Sequence, residues 1–200
     1  MSLLFWLACA APPPITAKVV TESPLSDATT AGRGWRRMNI DQLKASIMKV
    51  TGGISWTETQ SGAEVDLFDA LDGTLGKPDY LSATEEDLTP GLLFQKFLDD
   101  AATSACGKLM VAEATRTPEQ RTLLVDVSLD DTPVSNPDAV EANIRHALLR
   151  FHGKQVPAGD ARLQPWKDLV GGVYDEDHDM APAWESFCVA LIVHPDFYRY

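Results

Sequence analysis

The stretch Thr89-Pro90-Gly91-Leu92-Leu93-Phe94-Gln95-Lys96-Phe97-Leu98-Asp99-Asp100-Ala101-Ala102-Thr103-Ser104-Ala105-Cys106-Gly107-Lys108-Leu109-Met110-Val111-Ala112-Glu113-Ala114 decides the fold class. Thr89 followed by Pro90 reads as a cap with proline at the first helical position. Leu93, Phe97, Ala101, Ala105 and Leu109 recur at helical spacing and mark an inner face. The pattern predicts the longest helix of the chain, from Thr89-Pro90 to about Ala114, with Gly107 as its weak spot.

Downstream, Thr117-Pro118-Glu119-Gln120 starts another helix by the same logic, and residues 122–129 alternate in places, so a short strand is the alternative there. Asn136-Pro137-Asp138 caps a helix carrying Val140, Ile144, Leu148 and Phe151 and ending at Gly153. Pro165-Trp166 opens a shorter helix that reaches about Val170, before Gly171-Gly172. Pro182 opens the last, with Trp184, Phe187, Cys188, Leu191 and Ile192 facing inward until Pro195.

Upstream, Asn39 with Gln42 makes a capping-box pattern ahead of Ile40, Leu43, Ile47 and Val50, and Gly52-Gly53 stops that helix. A short apolar-periodic piece from Val65 to Leu71 leads into a turn-rich stretch, Asp72 to Ser82. Six or seven helices with almost no paired-strand signal predict a mostly α chain. Residues 35–200 are expected to form a single orthogonal helical domain.

Residues 10–34 are rich in Ala, Pro, Thr and Ser and read as a flexible, disordered tether. Ahead of them, residues 1–9 read as a lipoprotein export signal ending at Cys9, which would carry the lipid. Its apolar core, Leu3 to Ala8, is short, no Lys or Arg precedes it, and Trp6 stands where an aliphatic residue is usual. The alternative is an apolar N-terminus of a cytoplasmic protein. Pro12-Pro13-Pro14 arrives too soon for a spanning helix, which needs about 20 apolar residues. The expected place of work is the cell envelope or periplasm. Of the three cysteines, lipid on Cys9 would leave Cys106 and Cys188 as an even pair, each on an apolar helical pattern. They are either bridged or two separately buried thiols.

The chain has 200 residues, 44% of them hydrophobic, enough for a proper core. Its 29 acidic and 17 basic residues leave a net charge of −12. That balance repels nucleic-acid phosphates and anionic lipid alike, so membrane attachment has to come from an acyl chain.

The densest charge cluster is Asp175-Glu176-Asp177-His178-Asp179. Asp175, Asp177 and Asp179 match the first three ligand positions of an EF-hand loop, but Met180 replaces the turn glycine and Ser186 the bidentate Glu. A loosely held divalent cation on Asp175, Asp177, His178 and Asp179 is one reading; a solvated acidic loop before a helix N-terminus is the other. His146 and His152 are too far apart around a helix to share a face, while His152 and His194 each fall at a helix C-terminus. No zinc-type histidine pair and no Cys-x-x-Cys-His haem-attachment motif is present, so no cofactor is predicted beyond that cation. Gly53-Ile54-Ser55-Trp56-Thr57 and Gly73-Thr74-Leu75-Gly76-Lys77 fall short of a nucleophile elbow and a phosphate loop and read as turns. The aromatic end, Asp196-Phe197-Tyr198-Arg199-Tyr200, is expected to dock back onto the domain.

Three segments, in order, resemble uncharacterised secreted proteins of planctomycetes and myxobacteria that are often encoded with or fused to c-type cytochrome domains. They are Arg36-Arg37-Met38-Asn39 with Gln42-Leu43; Leu75-Gly76-Lys77-Pro78-Asp79-Tyr80; and Trp184 through Leu191 with His194-Pro195-Asp196-Phe197-Tyr198. The resemblance implies an exported helical protein whose partner is a c-type cytochrome or another envelope protein. Together these readings give a lipid-anchored accessory or binding protein rather than an enzyme. The alternative is an exported metal-dependent enzyme built on the acidic segment.

Overall fold

In the computed structural model the described residues are 36–78, 81, 85, 86 and 88–200. Cys9 and the segment 10–34 lie outside them, as do Asp79 and Tyr80. The architecture is mostly α, 60% helix and 6% strand. Among the described residues the helices are α1 (Ile40–Thr51), α2 (Leu67–Ala70), α3 (Leu92–Glu113), α4 (Pro137–His152), α5 (Gln164–Asp177), α6 (Met180–Val193) and α7 (Pro195–Tyr198).

Helix α6 is the centre of the packing, lying against α3 and α5 and touching α4. Its Trp184, Phe187, Cys188, Leu191 and Ile192 are wholly buried. The buried residues of α3 include Phe94, Phe97, Leu98, Ala101, Ala102, Ala105, Cys106, Leu109 and Met110. Small Ala side chains in mid-face let the two backbones approach, and a Cys106–Cys188 disulfide ties them with the Cα atoms 5.8 Å apart. Gly107 belongs to the same contact: a Cβ built there would lie 3.3 Å from the Glu185 carboxylate of α6. The expected weak spot is thus a place of close approach.

Two details of α3 differ from expectation. The helix starts at Leu92 with extended Gly91 as its cap, two residues later than the Thr89-Pro90 reading. Leu93 is 63% exposed, because the buried stripe runs through Phe94, a helical step of about 100° away.

Helix α1 has the expected capping box, with Gln42 N–H donating to Asn39 Oδ1 and Asn39 N–H to Gln42 Oε1. Left-handed Gly52 ends it. Helix α4 begins and ends as its caps predict, at Asn136 and Gly153. Helix α5 is a correction: it runs straight through Gly171-Gly172 to Asp177. Glycine in a helix interior costs about 1 kcal/mol. Here Val170 is buried and Trp166, Leu169, Val173 and Tyr174 pack against the core on either side of the glycines, which overrides that preference.

Strands β1 (Thr57–Gln60) and β2 (Ala63–Asp66) form an antiparallel hairpin that the apolar pattern did not announce. Most of its residues are polar and exposed, and the turn comes from Ser61 and Gly62, both at positive φ. Trp56, just before it, is buried edge-on against Phe68 and Phe97.

The segment after α3 is neither the helix nor the strand expected of it. Pro118–Gln120 makes one 3-10 turn. Beyond it the backbone N–H groups go to side chains. The buried Glu113 carboxylate accepts from Thr122 N at 2.9 Å, Leu123 N at 3.3 Å and Leu124 N at 2.9 Å. Asn143 Oδ1 accepts from Val125 N at 3.0 Å and Asp126 N at 3.1 Å. With its donors satisfied in this way, the segment needs no partner strand.

The aromatic end docks back as expected. Phe197 and Tyr198 are buried, and Gln95 Nε2 donates to Tyr198 Oη at 2.8 Å. Tyr200 N–H donates to the Arg36 carbonyl at 3.0 Å, and Met38 N–H to that of Tyr198 at 2.7 Å.

Candidate functional site

The acidic segment does not form the loop that an EF-hand reading needs. Asp175 and Asp177 lie on the last turn of α5, exposed, and His178 is its left-handed cap with its ring against Tyr174. Asp179 caps α6 by accepting from Ala181 N–H at 2.9 Å. Helix α5 continues past its two glycines and takes Asp175 and Asp177 into helical geometry.

A different group converges at the opposite end of α6. Among the described residues, His152, His194 and Asp196 are the ones that bring three potential metal-ligand atoms together, each within 4.8 Å of the others. His152 is the last residue of α4, while His194 caps both α6 and α7. The two rings lie nearly parallel, centroids 5.0 Å apart, and Trp166 of α5 sits beside both.

Pro195 organises the cluster. In α6 the Leu191 carbonyl would accept from the backbone N–H four residues on, but that residue is Pro195, which has none. His152 Nε2 takes that place, 2.8 Å from Leu191 O. A carbonyl only accepts, so Nε2 carries the proton and Nδ1 keeps a lone pair. Burial holds the His152 imidazole below its ordinary range, against the opposing effect of the Leu191 bond, and the neighbouring His194 adds to the lowering. His194 Nδ1 accepts from Asp196 N–H at 3.1 Å and lies 3.3 Å from Asp196 Oδ2. Lys154, just past the α4 cap, ion-pairs with the same Oδ2. That bond, against partial burial, holds the Asp196 carboxyl below the usual range.

The sequence placed His152 and His194 at helix C-termini, and both are there. What it could not give is that α4 and α6 end side by side. The one available signal is Pro195 after His194, which frees a carbonyl four residues back. The Gly53–Thr57 and Gly73–Lys77 segments serve as turns, with Trp56 and Leu75 pointing into the core.

Among the described residues no helix is long and apolar enough to cross a membrane. Comparison of the chain with protein-family models, with curated proteins and with solved structures finds no match.

Proposed function

We propose that this chain is an exported, lipid-anchored helical accessory protein that serves a c-type cytochrome or another envelope protein. The observation that carries the reading is the Cys106–Cys188 disulfide between α3 and α6. Such bonds persist in oxidising compartments, and reducing cytosols keep thiols open. With that pair bridged, Cys9 is the one remaining cysteine of the chain, at the position a lipid anchor would use. The net charge of −12 supports attachment through an acyl chain rather than through basic residues. The resemblance of Arg36-Arg37-Met38-Asn39 and of the Trp184–Tyr198 close to cytochrome-associated secreted proteins supports the choice of partner.

Intact mass of the protein extracted from native membranes tests the reading. The expected mass lacks Met1 to Ala8, carries acyl chains on Cys9 and is two hydrogens lighter for the bridge. A full-length chain with free thiols overturns it. Co-purification of a haem-bearing partner with the membrane-extracted protein tests the accessory role.

A further inference from the structure

We propose that His152, His194 and Asp196 form a binding site for one divalent transition-metal ion of the zinc type, held where α4, α6 and α7 meet. Two imidazoles and one carboxylate suit zinc and its neighbours rather than calcium or magnesium, which favour all-oxygen sites.

Three features of the geometry carry the assignment. First, His152 is already arranged as a ligand. Its Nε2–H is committed to the Leu191 carbonyl at 2.8 Å, which fixes the ring and leaves Nδ1 as the donor atom. Metal-bound histidines characteristically send their second ring N–H to a carbonyl or carboxylate in this way. Second, His194 Nδ1 and Asp196 Oδ2 lie 3.3 Å apart. Two ligands at zinc bond lengths around a tetrahedral ion are separated by about 3.3 Å. A ring nitrogen of His152 completes the group, whose three potential ligand atoms all lie within 4.8 Å of one another. Third, the Lys154 ammonium already sits on Asp196 Oδ2, so a positive charge is favoured at this place. The ion would displace that ammonium, and the Asp196 N–H bond to His194 would be given up to the metal. Three protein ligands leave a fourth position for water, on the side where His194 and Asp196 are 40% and 36% exposed.

The test is titration of the untagged full chain with Zn2+ in calorimetry, and with Co2+ followed by its visible absorption bands. The expected result is one equivalent bound, with Co2+ bands of a low-coordinate site. His152→Gln and Asp196→Asn are each expected to weaken Zn2+ binding about tenfold or more. Lys154→Met, which removes the competing ammonium, is expected to strengthen it several-fold. Asp196→Asn removes an exposed charge and keeps side-chain volume, so it remains informative if His152→Gln perturbs folding, which an apo melting curve reports. Absence of stoichiometric binding overturns the proposal. So does binding unaffected by Asp196→Asn, or binding abolished instead by Asp177→Asn or Cys9→Ser.

Discussion

Glu113 and Asn143, one at the end of α3 and the other within α4, together accept the consecutive backbone N–H groups of residues 122–126. Arg116 completes the arrangement, donating to Glu113 Oε1 at 3.0 Å. A carboxylate and a carboxamide thus stand in for a missing β-strand, alongside the burial of Leu123, Leu124 and Val127 in the core.

Glu113→Gln is therefore expected to be costly. The amide nitrogen would face N–H donors in a buried place, and the Arg116 charge would lose its partner. We expect a loss of about 3 kcal/mol in chemical denaturation. A loss under 1 kcal/mol would show that the segment is held by packing alone.

The same group predicts an acid limb. Burial raises the Glu113 carboxyl, but the N–H donors of Leu124 and Thr122, the Arg116 guanidinium and Leu123 N–H together lower it below its ordinary value. A folded-state pKa below the unfolded one means that the stabilisation is complete above the unfolded value, about 4.3. It is lost as pH falls through the lower folded value. Melting temperature should hold level above about pH 5 as far as this group is concerned and drop below it. Glu113→Gln should flatten that drop, and an unchanged slope would assign the limb elsewhere.

The disulfide spans 82 positions of chain. A closed loop of that length is worth about 4.5 kcal/mol on the chain-entropy estimate. Reductant, or the double variant Cys106→Ala with Cys188→Ala, should lower the melting temperature by roughly 10–15 °C. A shift of only a degree or two would mean that the reduced chain retains the α3–α6 pairing when unfolded.

Gly107→Ala is expected to stabilise, by up to about 1 kcal/mol, through helix propensity. The new Cβ meets the Glu185 carboxylate at 3.3 Å, the far end of a flexible side chain that can give by a few tenths of an ångström. Destabilisation in a thermal melt would show that Glu185 is pinned.

Tyr198→Phe should cost about 1 kcal/mol, the worth of the Gln95 bond to its hydroxyl. Phe197→Ala should cost about 3–4 kcal/mol, since its buried ring packs on Phe151. Equal effects of the two variants in denaturant would contradict this division.

Local signals proved legible where a cap or a stripe acts within one element. Asn39 with Gln42, Asn136 with Pro137, and the inward residues of α6 are all where the sequence implied. Structure departs from local preference where a contact distant in sequence outweighs it. Gly171-Gly172 stay helical because the flanking aromatic and aliphatic residues pack on α6. Residues 122–126 avoid both helix and strand because Glu113 and Asn143 hold them. The hairpin carries little apolar alternation because most of its residues are polar, and its two-residue turn does most to specify it. His152 and His194 were each placed correctly, yet their encounter depends on how α4 and α6 pack, which no periodicity reports.

The pairing of Arg36 with Tyr200 makes the fold a loop whose two ends leave from one pole. Such a domain can in principle be cut open elsewhere and rejoined across its ends by a short linker. The exposed Ser61-Gly62 turn is a natural opening point. Any cargo fused after Tyr200 would emerge beside Arg36.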